Sequence, residues 1–420
     1  MSRAPGPASG HAPGDDMTSA QIALAVLAAF LVQALTSFAM TVPSVLAPVA
    51  APDLGVLPAS VGNLVAFAYF VAIGAGIACG TLISRFGPIR VLQVSVLMVC
   101  GGLALAGSAT MAMVFIAMVA VGAAHGLVNP ATSQVLDACV PVPVRGLVFS
   151  IKQTGVPAGS AVGGVLIPFL LLSMDWRAAL LVVGAALVVL SLLVQPLRGR
   201  FDPVGRQPGG APPVTMATVF GPVAEVWRNR EIRELAFVSM TYSSAQLCLM
   251  TYLVSYLKLD LGYSLVAAGG AFSAASMASV FGRIFWGWVA DRTRAPRALL
   301  AALGVAMAVF GLGVAALQPG WPTGVVVALC AAHAGTAMAW NGVYFAEVAR
   351  LSPPGRAGAL TGGVQFFTFS GALTGPLVFA ATVWMTGHYS MGFVVFSVLP
   401  LVMGLRLALV NRRSARSAAA

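Results

Sequence analysis

Gly80-Thr81-Leu82-Ile83-Ser84-Arg85-Phe86-Gly87 and Gly287-Trp288-Val289-Ala290-Asp291-Arg292 are two readings of one pattern: a glycine, four residues, an arginine. Gly80, Arg85 and Arg90 recur as Gly287, Arg292 and Arg297, all at one offset. Working outward, the echo continues. Gly146, Gln153, Gly159 and Gly163 recur as Gly358, Gln365, Gly371 and Gly375, Asn129 recurs as Asn341, and Gln33 is answered by Gln246. A single match would be chance; a series at nearly constant spacing indicates a duplicated unit. Each copy of the opening pattern sits in a short basic gap between two long apolar stretches.

Those stretches dominate the chain. Charged residues make up 8% of its 420 residues and hydrophobic ones 59%, too little charge to cover a soluble protein of this size. The apolar runs are continuous rather than alternating and reach the ~20 residues a helix needs to span a bilayer. Twelve are expected, among them 20–42, 145–172, 264–290 and 322–349. Residues 1–18 read as a disordered start, 19–196 as an N-terminal six-helix bundle, and 197–231 as a linker rich in Gly and Pro. A second six-helix bundle is expected over 232–410, with a tail at 411–420. The fold class is therefore all-α integral membrane, with twelve transmembrane helices in two pseudo-symmetric bundles.

The net charge of +11 does not point to nucleic acid. Almost every arginine falls in alternate gaps, including Arg85, Arg145, Arg292 and Arg356, while the other gaps hold only Arg177 and Lys258, each beside an acid. This is the positive-inside distribution, and it predicts both termini and the linker on the cytoplasmic side. A multi-pass protein of the cell membrane follows, a bacterial inner membrane being the expected one. The five scattered cysteines form no metal or disulfide motif, so neither cofactor nor metal is expected.

The two quoted stretches resemble the loop motif of the major facilitator superfamily: Gly, three residues, Asp-Arg, then further basic residues. Ser84 stands where that family usually has Asp. The resemblance covers essentially the whole chain. It implies secondary transport by alternating access and a gating or structural role for Gly80, Arg85, Gly287, Asp291 and Arg292. Asp291 is expected to pair with basic residues of neighbouring loops. Asp137 with Arg145, and Glu347 with Arg356, are expected to form similar clasps at helix ends.

Two bases lie deep in apolar stretches: Lys152, ~10 Å past Arg145, and Arg283, ~12 Å before Asp291. No Asp or Glu occurs at comparable depth in the apolar stretches. A buried membrane charge is costly and usually functional, so the missing counter-charge implies an anionic ligand. Lys152, Gly155, Gly159 and Gly163 share one helix face, as do Ser276, Ser279, Arg283 and Gly287. The two bases are therefore expected at one depth, facing one cavity. The run Gly282-Arg283-Ile284-Phe285-Trp286-Gly287 resembles the eighth span of monocarboxylate and oxalate–formate type transporters, which implies that Arg283 binds a carboxylate. The oxalate–formate type carries a second base in its eleventh span, where this chain offers Gln365.

Further candidates for a cavity lining are Gln33 and Ser37, His125 and Asn129, Tyr242 and Gln246, and Trp340, Asn341 and Tyr344. His125 and His333 are candidate proton carriers, since histidine titrates near neutrality. The expected function is transport of a small organic anion, a monocarboxylate, with proton coupling left open. Membrane lipid is the other partner, and a monomer is expected. Three alternatives stand beside it: an exporter of hydrophobic compounds, a polytopic membrane enzyme, and a non-transporting sensor. No cluster of nucleophile, acid and base supports the enzyme.

Overall fold

A computed structural model describes residues 19–108, 110–140, 145–195, 215–353 and 357–419. Among these the chain is helical and has no strand. The first half contains α1 (Ser19–Asp53), α2 (Val61–Phe86), α3 (Pro88–Ala106), α4 (Met111–Cys139), α5 (Arg145–Leu170) and α6 (Trp176–Val194). The second contains α8 (Arg230–Leu259), α9 (Leu265–Thr293), α10 (Pro296–Ala315), α11 (Thr323–Ala337), α12 (Asn341–Leu351), α13 (Ala357–Thr386) and α14 (Tyr389–Ala419). Between them lies α7 (Met216–Arg228). Nine segments of the described residues are long and apolar enough to cross a membrane.

Helix ends follow local chemistry. Thr110, Asn229 and Ser264 cap α4, α8 and α9 by accepting hydrogen bonds from first-turn amides. In the first copy of the repeated pattern, Gly87 turns the chain at φ 90° and Pro88 opens α3. In the second, Arg294 takes the left-handed turn at φ 51° and Pro296 opens α10. Pro43, Pro48 and Pro52 do not stop α1, which runs to Asp53, well past the expected end at 42. Inside a membrane bundle, neighbouring helices compensate what proline removes.

Packing repeats between the halves. α1 packs on α5 as α8 packs on α13, α2 on α4 as α9 on α11, and α3 on α6 as α10 on α14. The halves meet through α5 with α9, α2 with α13, and α1 with α8. α1 and α5 approach until a Cβ on Gly159 would overlap the Ala34 carbonyl. The glycine stripe of α5 is thus a packing face against α1 rather than a cavity wall, because only glycine allows that backbone contact.

Two features differ from the sequence reading. The tenth apolar stretch is not one helix: α11 ends at Ala337 and α12 begins at Asn341, with turn residues Met338, Ala339 and Trp340 between. Asn341 and Gly342 are poor helix formers at this position, and the break frees backbone groups that need partners. The linker, of which residues 215–231 are described, contains α7, whose Pro222 and Val226 lie against Gly363 of α13. Residues 1–18 and 197–214, and Arg356, lie outside the described residues, as do the side chains of Asp137 and Arg145.

Candidate functional site

Arg283 sits on α9 where the halves meet. Its Nε donates to the carbonyl of Met338 at 3.0 Å, inside the break between α11 and α12. Its Nη1 donates to the carbonyl of Gln153 on α5 at 3.2 Å, across to the other half. Among the described residues no carboxylate pairs with it, and its Nη2 donates to no protein group. The site therefore presents a half-buried cation whose backbone partners carry no formal charge. Gly282 beside it lets α9 approach α11 closely: a Cβ there would stand 2.6 Å from the Gly335 carbonyl. Trp286, one turn on, donates to that same carbonyl at 2.9 Å.

Lys152 lies at the same depth, since Arg283 bonds the residue that follows it, but it faces another way. Its ammonium is fully buried and donates to Asn129 Oδ1 at 2.8 Å, to the Asn129 carbonyl at 3.2 Å and to Ser133 Oγ at 3.0 Å. All three acceptors belong to α4. The expectation that both bases face one cavity is corrected here: the observed acceptors of Lys152 all lie on α4, whereas Arg283 reaches across the junction.

The polar residues of the second half form a pin across the helix break. Gln246 on α8 accepts from Trp340 Nε1 at 3.2 Å and from Asn341 Nδ2 at 3.3 Å. Tyr242 is not a cavity residue; it is fully buried, and its hydroxyl donates to Leu300 of α10 at 2.7 Å. Tyr344 is likewise buried, its ring 5.3 Å from that of Trp340. Both were drawn inward by aromatic packing, which sequence spacing does not reveal. Gln365 on α13 is half-buried and makes no hydrogen bond among the described residues.

On α1, Gln33 and Ser37 are buried, with the Gln33 Oε1 and Ser37 Oγ unpaired. His125 packs edge-on against Tyr69 at 5.7 Å, and Tyr69 lies 6.4 Å from Phe369 of the other half. His333 is placed elsewhere, beside Gly311 and Ser397 within the wall made by α10, α11 and α14. The two histidines therefore occupy different environments, and only His125 adjoins the junction.

The charged ends are also rearranged. Glu347 is fully buried and pairs with Arg297 at 2.9 Å and with Arg350 at 2.7 Å. Arg297 also reaches Glu231 at 3.1 Å. Glu347 holds the Arg350 guanidinium above its ordinary pKa, chiefly through their hydrogen bond. Asp291, expected to clasp neighbouring loops, makes no ion pair among the described residues. Arg292 is exposed, and Arg85 lies over the Phe86 ring at 5.3 Å. Gly80 and Gly287 have open space where a Cβ would be. The clasp thus runs through Arg297, the third basic position of the second copy, because Glu347 lies within its reach.

The repeated pairing of helices agrees with a family match. The model of the Major Facilitator Superfamily fits residues 29–376. The chain belongs to the major facilitator superfamily. Monocarboxylate transporter 13 of Bos taurus is 30% identical over 259 residues, covering 60% of this chain and 56% of that protein. The probable nitrate/nitrite transporter NarK2 of Mycobacterium tuberculosis is 31% identical over 176 residues, covering 40% and 42%. The chain spans about half the length of the curated relatives it matches. Among solved structures, a bacterial homologue of the lysosomal transporter Spinster, inward-facing and unoccupied, superposes with a TM-score of 0.76 at 17% identity, covering 94% of this chain and 98% of that one. A D-xylose–proton symporter gives 0.70 at 15% identity, covering 92% and 96%. These likenesses show the fold, and with it a multi-pass membrane protein of a transporter family.

Proposed function

We propose that this chain is a secondary transporter of small organic anions, monocarboxylates foremost, working by alternating access. One observation carries the reading: Arg283 is a guanidinium at the junction of the halves with no carboxylate partner and an unspent Nη2. A planar fork suits a carboxylate, and in a low-dielectric site such a contact is strong. The relatives named for monocarboxylate and for nitrate/nitrite both handle anions, which supports the class of cargo. The Met338 carbonyl holds Arg283 in place between substrates.

The closed side in this reading is the end away from the termini. There Tyr252 donates to the Pro376 carbonyl at 2.7 Å and reaches Ala59 of the other half at 3.3 Å. α5 and α9 also touch there through Gly164 and Gly269. In this reading the chain crosses a bacterial inner membrane twelve times with both termini and the linker on the cytoplasmic side, where the basic gaps lie, and acts as a monomer. Proton coupling, if present, uses His125.

Counterflow of radiolabelled monocarboxylates in proteoliposomes tests the function. Exchange that is saturable and lost in Arg283→Gln supports it; no exchange of any carboxylate sinks it. For topology, a single cysteine at position 206 should resist a membrane-impermeant label added outside intact cells, and one at 175 should react. Labelling of position 206 from outside would reverse the orientation.

A further inference from the structure

Between the halves lies a cavity of about 20 Å³, bounded by α1, α2 and α8 and lined by Met40, Thr41, Ser44, Tyr69, Met250 and Thr251 among others. It has room for a single water-sized group. Ser44 is 3% exposed and Thr251 1% exposed, yet neither hydroxyl has a hydrogen-bond partner among the described residues. Tyr69, half-buried, lines the third wall, and its hydroxyl makes no hydrogen bond among the described residues. Thr41 differs, because it is already bonded to the Ser37 carbonyl and to Ser160. Buried hydroxyls are normally satisfied, so two from facing helices left unpaired beside one small space call for a polar occupant.

The cavity shares a helix with polar groups nearer the level of Arg283. Gln33, Ser37 and Ser44 fall on one face of α1, and the first two also carry unpaired buried oxygens. Their levels can be read along α5. Arg283 bonds the carbonyl of residue 153, Gln33 packs beside Gly155, and Thr41 bonds Ser160. Seven residues of helix separate the level of Arg283 from that of the cavity, or ~10 Å. Gln33 and Ser37 thus stand at levels between the cation and the hydroxyl-lined cavity, their unpaired oxygens enclosed in this conformation.

We propose that this cavity is a second subsite of the substrate site, which takes a hydroxyl group remote from the carboxylate. Its ligands are extended carboxylates with a terminal hydroxyl. Ser44, Thr251 and Tyr69 read that group, and Gln33 and Ser37 receive polar atoms between. The inference rests on the anion reading of Arg283 and adds to it a length and a chemical preference. A hydroxyl both donates and accepts, so it satisfies neighbouring hydroxyls that a methyl group would leave unpaired.

Counterflow of labelled hexanoate in proteoliposomes, competed by unlabelled 6-hydroxyhexanoate or by heptanoate, tests this. The two competitors have equal length and differ by a hydroxyl against a methyl. The hydroxy acid should compete roughly tenfold better, the worth of about one buried hydrogen bond. In Ser44→Ala/Thr251→Val the ratio should fall to near one. A ratio of one in the unaltered protein means that the cavity holds water, and it overturns the proposal. So does a preference that survives the double variant. If that variant does not accumulate, the ratio in the unaltered protein decides. Exchange of none of the three acids would instead bring down the anion reading, and this inference with it.

Discussion

The fourth and tenth apolar stretches occupy equivalent places in the two halves, and each is met by a base from another helix, Lys152 fully buried and Arg283 half-buried. In the first half Lys152 reaches from α5 to α4, where it bonds the carbonyl and side chain of Asn129 beside Pro130. In the second half Arg283 reaches from α9 to the Met338 carbonyl, three residues before Asn341, the counterpart of Asn129. α4 stays continuous through its proline, whereas the other stretch divides into α11 and α12. The decisive difference is reach. Lys152 satisfies only its own half among its observed partners, and Arg283 also crosses to Gln153 of the other half. A duplicated frame thus carries an unduplicated charge, and that charge lies where the halves meet.

This division predicts unequal mutational effects. Arg283→Gln should lower carboxylate exchange at least a hundredfold, because a charge-assisted contact is lost. Arg283→Lys should recover part of it while keeping the charge, since the planar fork is gone. Full transport by Arg283→Gln would break the comparison outright.

Glu347→Gln comes next. It removes a fully buried carboxylate that holds Arg297 and Arg350, and should cost on the order of 3 kcal/mol in detergent unfolding. The exposed Arg350 pair contributes little of this. A shift toward the state open at the end away from the termini should accompany it, visible as faster alkylation of a cysteine placed at the buried position 59. Unchanged stability and unchanged alkylation together would remove Glu347 from the clasp.

Lys152→Gln should cost about 1–3 kcal/mol of stability, as buried acceptors on α4 lose a donor. Its effect on carboxylate affinity should be much smaller than that of Arg283→Gln. An equal loss of affinity with no loss of stability would return Lys152 to the ligand-binding set. At the bottom of the scale, His333→Gln should alter exchange less than twofold at any pH, since it lies within one wall of the second half. A pH profile that moved with His333 rather than His125 would redraw the proton route.

How much of this was legible beforehand differs by residue. Arg283 stood out from its position in an apolar stretch, because a bilayer makes any deep charge conspicuous. Tyr242 and Tyr344 shared the polar spacing of true lining residues and turned out to be packed among aromatics. Ser44, Tyr69 and Thr251 carried no signal, for serine and threonine are common in apolar helices and usually bond their own turn. The expected partner of Glu347, Arg356, lies outside the described residues; the partner the structure gives, Arg297, is far away in sequence, and distance along the chain does not report distance between helices.

The sequence by itself determined the class of fold, the duplication and the depth of the two bases. These follow from bilayer thickness, from the cost of burying charge and from a repeat that any reader can align. The tertiary structure decided where each base points, where the tenth stretch breaks and which hydroxyls remain unpaired. The partners in those arrangements are largely backbone carbonyls of Asn129, Gln153 and Met338, and every residue type offers the same carbonyl. Only the packing of helices chooses among them.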